Sequence, residues 1–170
     1  MNSQVKGVVI GLVENLDDPE ELGRIQVRYP WLEGEPMSNW ARVVTLFASA
    51  GTGMHFRPEI GDEAVLAFDR DDINHPFILG FVWSGENTPP ELDSNAQRLV
   101  TTIAGHRMIF DDDDSDPSLI IEDAGGSRVT LNGDGIMIES SADLTVKGQN
   151  ISVEAGQQLT LKGNPVHINP

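Results

Sequence analysis

The chain has 170 residues, 39% of them hydrophobic, with 17 glycines, 10 prolines and no cysteine. Its 27 acidic against 11 basic residues leave a formal charge of −16, which repels nucleic-acid phosphates and anionic membrane surfaces and argues against polynucleotide binding. The missing cysteines exclude disulfides, thiolate metal sites and a cysteine nucleophile, while frequent Gly and Pro without long helix-favouring stretches predict an all-β chain.

The segment MNSQVKGVVIGLVENLDD has a short apolar run, Val8 to Val13, broken by Gly11 and followed by acid. It does not read as a signal peptide, and no stretch has the length of a transmembrane helix. Synthesis in the cytoplasm is the expectation.

Residues 1–90 are predicted to form one five-stranded barrel of OB type. Val5 to Glu14 is the first strand, with Gly7 and Gly11 marking bends or bulges in a strand that serves both halves of a curled sheet. Asp17-Asp18-Pro19 is a turn, and Arg24 to Tyr29 alternates cleanly as a second strand. Trp40 to Phe47 is the third strand, Ala50-Gly51-Thr52-Gly53 a loop, Glu63 to Phe68 the fourth strand and Pro76 to Trp83 the fifth. Greek-key barrels of this kind have five strands and long, varied loops. Residues 91–98 are a linker, following the stiff Thr88-Pro89-Pro90.

Residues 99–170 have a different character. Tyr and Trp vanish after Trp83, and a motif of apolar, any, apolar, polar residues recurs. Its apolar pairs are Val129 and Leu131, Ile136 and Ile138, Leu144 and Val146, Ile151 and Val153, Leu159 and Leu161, and Val166 and Ile168. The pairs start at 129, 136, 144, 151, 159 and 166, a spacing of 7, 8, 7, 8, 7. Within each pair both side chains point one way, because the strand period is two. One repeat buries too little apolar surface to offset the entropy of ordering it, so the repeats must stack. Three chains wound about one axis satisfy this: each supplies a wall, and the apolar pairs fill the centre. These twelve residues are therefore the predicted core of a homotrimeric β-helix.

The residues that carry a family resemblance are now in place. Gly23-Arg24-Ile25-Gln26-Val27, Tyr29-Pro30, Trp40-Ala41-Arg42-Val43, Pro58 to Val65 and His75 to Gly80 resemble the OB domain of phage tail-spike proteins and of the valine-glycine-repeat proteins of type VI secretion. Gly105-His106-Arg107-Met108-Ile109-Phe110-Asp111-Asp112 and the repeats resemble the entry to that family's trimeric β-helix. The resemblance implies a non-enzymatic central spike of a contractile tail or injection particle, located at the baseplate. It implies a connection to a hub protein, and a target membrane met only during injection. Some relatives carry a lysozyme between barrel and helix, but here the connector is short. Some carry a hub region before the barrel, and some end in a His-any-His apex holding iron, whereas the last residues here are Val166-His167-Ile168-Asn169-Pro170. A separate hub and a separate PAAR-like tip protein are therefore implied. The tip would contact Asn164, Pro165, Val166, Ile168 and Asn169.

No cofactor, catalytic residue or metal site is assigned. Asp111, Asp113, Ser115 and Glu122 fall at calcium-loop spacing, but Asp116 stands where such a loop needs glycine, so a solvated turn between strands is expected. His55, His75, His106 and His167 show no metal-ligand spacing; a threefold axis would gather three copies of His167, although alternation turns its side chain outward. Gly-x-Ser-x-Gly is absent, and Gly51-Thr52-Gly53 lacks the context of a phosphate loop. Trp31, Trp40 and Trp83 suit packing better than base or sugar stacking. The alternative function is a trimeric OB module binding glycan or peptide on a β-helical stalk. A polysaccharide-degrading tail protein is a third reading.

Overall fold

The computed structural model describes residues 5–168. Twelve strands run in order: β1 (Val9–Asn15), β2 (Gln26–Arg28), β3 (Arg42–Val43), β4 (Ala48–Ser49), β5 (Thr52–Gly53), β6 (Glu63–Phe68), β7 (Pro76–Val82), β8 (Gln97–Thr101), β9 (Arg107–Asp111), β10 (Ser118–Glu122), β11 (Arg128–Asn132) and β12 (Gly135–Glu139). The chain divides into two compact units, Met1–Pro90 and Glu91–Pro170. β8 takes Gln97 and Arg98 from the segment read as linker.

The first unit holds a curled five-stranded sheet in the order β2-β1-β6-β7-β3, antiparallel except for β3 on β7. β1 pairs with β2 and with β6, and its register slips between Val13 and Asn15. The first strand is shared as expected, but it starts at Val9, after Gly7, and its slip falls at Glu14 rather than at a glycine. Gly11 explains why no larger residue stands there: a Cβ would lie 2.7 Å from Leu66 Cδ1 and 2.9 Å from Val27 Cγ2. Alternation sends Ile25, Val27 and Tyr29 inward beside Ala64, Leu66 and Phe68, and with Val13, Ala41 and Ile78 they form a closed core. Burial pushes the Tyr29 hydroxyl pKa up to about 12.

Two expected elements differ. The strand Trp40 to Phe47 reduces to Arg42–Val43, with Ala41 bridging Ile25 and the Val44 N–H donating to the Ile78 carbonyl. The loop Ala50 to Gly53 is partly a hairpin, β4 with β5, closed by a turn in which Gly51 has φ +68°.

A second signal went unread in the turn at Asp17-Asp18-Pro19. The Asp18 carboxylate is almost covered, at 3% exposure, and accepts the Glu20, Leu22 and Arg24 backbone N–H groups. Arg24 adds a two-pronged contact at 3.0 and 2.7 Å, which holds the Asp18 carboxyl well below the usual carboxylate range. One side chain thus organises the whole loop between β1 and β2.

The second unit is an antiparallel meander, β8-β9-β10-β11-β12. A single chain does not make the triple-stranded β-helix expected across 99–170. The first two repeats pair with each other instead, because a 7-residue step lets Gly133-Asp134 close a two-residue hairpin loop between Asn132 and Gly135. The Asp134 N–H donates to Asn132 Oδ1 at 3.1 Å within that loop. Beyond Glu139 no strand is assigned among the described residues.

Candidate assembly surface

Strand pairing fixes which side chains share each face of the meander. On one face lie two rows, Val100-Met108-Ile121-Val129-Ile138 and Arg98-Phe110-Leu119-Leu131-Ile136. Nine of these ten residues are apolar, and no second layer covers them. Val100, Met108, Phe110, Ile121, Ile136 and Ile138 are all exposed, Ile136 to 72%. A hollow of about 530 Å³ runs along the first row and also takes in Leu144. A continuous apolar sheet face of this kind marks an interface.

The opposite face is built differently. One apolar row, Leu99-Ile109-Ile120-Thr130-Met137, lies between polar rows. Ion pairs flank it, Arg107 to Glu122 at 3.3 Å and Arg128 to Glu139 at 2.8 Å, and Gln97 Nε2 donates to Asp111 at 2.7 Å. This face is the more polar of the two, although Ile109 and Gln97 on it are buried.

The remaining repeats carry the same contrast further. Leu144, Val146, Ile151, Val153, Leu159, Leu161, Val166 and Ile168 are exposed by 47–75%. After Glu139 no backbone-to-backbone hydrogen bond is made among the described residues. The apolar side chains are left exposed and the backbone groups without backbone partners, with side-chain contacts to the backbone of Ser141, Ala142 and Asp143 alone among the described residues. Asn164 and Pro165 are exposed, while Asn169 lies outside the described residues.

Four of the twelve predicted core residues, Val129, Leu131, Ile136 and Ile138, thus meet on one sheet face. The structure adds Val100, Met108, Phe110, Leu119 and Ile121 to it. The available signal was the apolar runs Met108-Ile109-Phe110 and Leu119-Ile120-Ile121, which do not follow the 7- and 8-residue spacing.

The barrel unit has its own apolar groove of about 840 Å³, walled by Val44, Leu46, Phe47, Met54 and Phe56 and floored by Leu79 and Phe81. Trp31 leans on the buried Tyr29 ring at 5.4 Å, and Trp40 lies beneath the Arg24 guanidinium at 6.0 Å, so both serve packing.

Residues 9–83 match the family of the type VI secretion system and phage-baseplate injector OB domain. That stretch is the curled sheet with its closed core. The barrel unit is similar to an injector OB domain. The spike protein VgrG1a of the type VI secretion system of Pseudomonas aeruginosa is 34% identical over 82 residues, covering 45% of this chain and 13% of that protein. VgrG1c of the same organism is 34% identical over 87 residues, 48% of this chain and 12% of its own length. The actin cross-linking toxin VgrG1 of Vibrio cholerae is 33% identical over 95 residues, 51% of this chain and 9% of the toxin. The match thus spans about a tenth of the length of these relatives, centred on the injector OB domain.

The acidic loop after β9 behaves as a turn. Asp111 Oδ1 accepts the Asp113 N–H, and Asp113 Oδ1 accepts both the N–H and the hydroxyl of Ser115. The hydroxyl holds the Asp113 carboxyl below its ordinary range. His75 Nδ1 pairs with Asp72 at 3.1 Å, and His106 Nδ1 accepts the Ala124 N–H. No group of three or more metal-ligating side chains gathers among the described residues.

Proposed function

We propose that this chain is a structural spike subunit of a contractile injection machine, working as a homotrimer in which the apolar face of the meander and the repeats after Glu139 form a shared core. The observation that carries the reading is the stretch 140–168: eight apolar side chains at repeat spacing, all exposed, with no backbone-to-backbone hydrogen bond among the described residues. Burying each of these side chains is worth about 1.5–3 kcal/mol, and three copies about one axis bury all of them at once. A triple-stranded β-helix also gives every strand edge a neighbour from another copy. The injector OB family matched over residues 9–83 and the similarity to spike proteins support the mechanical role.

In this reading the barrel groove takes an apolar surface of a separate hub protein, and the last repeat meets a small PAAR-like tip. The tip would cover Val166 and Ile168 and add hydrogen bonds near Asn164, Pro165 and Asn169. The chain acts by packing and rigidity rather than by bond chemistry, and it meets a target membrane only as it is driven forward. Its place is the baseplate of a tail or an equivalent particle.

The test is imaging of assembled particles carrying this chain. Threefold density for it between tube and tip is the expected result, and its absence from the tube axis would overturn the assignment. Removing residues 166–170 should abolish tip binding in a co-purification assay yet leave the trimer, since earlier repeats keep it together.

A further inference from the structure

The polar face of the meander holds a row with a regular sign. Reading across paired strands, Arg107 faces Glu122, Glu122 faces Arg128, and Arg128 faces Glu139. The charges run plus, minus, plus, minus, and two of the three steps are closed ion pairs, at 3.3 and 2.8 Å. Glu139 stands on β12, the edge strand of the sheet, so one side of that row is open.

The sequence continues the alternation beyond that edge. Each repeat ends on an outward position following its second apolar residue. Between the uncharged Asn132 and Asn169 of the first and sixth repeats, from the second repeat to the fifth, these are Glu139, Lys147, Glu154 and Lys162. They are spaced 8, 7 and 8 residues apart, in step with the apolar pairs. Lys147, Glu154 and Lys162 are exposed and form no ion pair among the described residues. Within Arg128-Glu139 the strands are antiparallel, so the start of one meets the end of the next. Repeats that all carry their charge at the end can face one another only if they stack in parallel.

Parallel stacking about a threefold axis moves each chain to the next wall at every repeat. The strand lying on a given repeat is then the following repeat of another copy. We infer that Glu139, Lys147, Glu154 and Lys162 form an alternating-charge column between copies of this chain, each acid beside a lysine of a neighbouring copy, and that this column sets the stacking register. The inference rests on the trimer proposed above.

The apolar pairs cannot set that register alone. Leu144 with Val146, Ile151 with Val153 and Leu159 with Leu161 are nearly interchangeable in size and shape. A slip by one repeat would keep the core filled but bring Glu139 to Glu154 and Lys147 to Lys162. Like charges directly opposed on neighbouring strands are destabilising, and three copies multiply each clash. A slip by two restores the signs but strips two repeats of partners.

Three variants of the full chain test this, read by oligomeric mass and thermal midpoint at low and high salt. Lys147→Glu with Lys162→Glu makes the column wholly acidic. It should lower the midpoint by roughly 5 °C or more at low salt, or release monomers, and recover in high salt. Adding Glu154→Lys to that pair restores two of three opposite-charge steps and should regain most of the loss. Replacing all three residues by Gln should cost less than the acidic column. A separate register readout uses Thr145→Cys with Ser152→Cys in the otherwise cysteine-free chain, where copies should cross-link between positions 145 and 152. Equal midpoints for the acidic and swapped variants, or cross-links only between identical positions, would overturn the column. A wild-type monomer would instead overturn the trimer itself, so the two failures are distinct.

Discussion

The two units of this chain solve the same problem in different ways. The barrel unit closes its core within one chain: Val13, Val27, Ala41, Ala64, Leu66 and Ile78 are wholly buried, and every strand of its sheet has a partner. In the second unit the buried apolar core is Ile109 alone, while Phe110, Ile136, Ile138 and all the later repeat residues are exposed. The second unit has no Trp or Tyr and Phe110 as its one aromatic, so the contrast comes from composition as well as pattern. Strands that bend and share neighbours can enclose a volume. Short strands with a two-residue apolar pair can only tile a surface, and in the proposed trimer other copies complete it.

The contrast can be broken most severely in the repeats. Ile151→Asp together with Val153→Asp would place six carboxylates around one dry axis, and an unpaired buried charge is strongly destabilising. Complete loss of the trimer is expected by light scattering after size exclusion, with the barrel's tryptophan fluorescence unfolding at an unchanged temperature. Leu66→Ala makes the opposite cut. It should lower barrel stability by about 2–5 kcal/mol in urea, through lost contacts and a cavity, and leave the oligomeric mass as it was.

Gly11→Val should have a smaller effect on the same unit. Overpacking against Leu66 and Val27 costs about 1–3 kcal/mol, measurable as a shift of the first urea transition only. The smallest effect is Asp18→Asn, read against pH. Because Arg24 and three backbone N–H groups depress the Asp18 pKa in the folded barrel, its contribution is full above its unfolded pKa, near 3.9. It is lost as pH falls from there towards the folded value. The wild type should exceed the variant in stability by a constant margin from pH 5 to 7, and the margin should shrink below about pH 4. A margin that grows in acid would contradict the depressed pKa.

Much of this was legible in the sequence, for identifiable reasons. Arg24 to Tyr29 alternates strictly and the structure buries Ile25, Val27 and Tyr29 accordingly, while Glu63 to Phe68 reads as a continuous apolar strand of which Ala64, Leu66 and Phe68 are the buried face. Gly11 was read as a bend, whereas the structure shows a close approach of Leu66 and Val27 there. The short pairing at Arg42–Val43 was not readable, because Val44 to Phe47 is as β-prone as its neighbours and diverges only where tertiary contacts with β7 end. Asp18 was seen as a turn residue, yet its many acceptor contacts depend on where Leu22 and Arg24 return. In the second unit the equal spacing exposed the apolar pairs, but it concealed that Val129 to Asn132 folds back on Gly135 to Glu139. Met108, Phe110, Leu119 and Ile121 belong to the same face and sit on strands joined by loops of unequal length, outside any repeat.

The central claim is that the second unit's core is completed by other copies of the chain. Sedimentation equilibrium of the full chain in dilute solution tests it most directly. The account predicts a single species of three times the 18.5 kDa protomer mass, persisting to the lowest measurable concentration. A folded species at the protomer mass would contradict it.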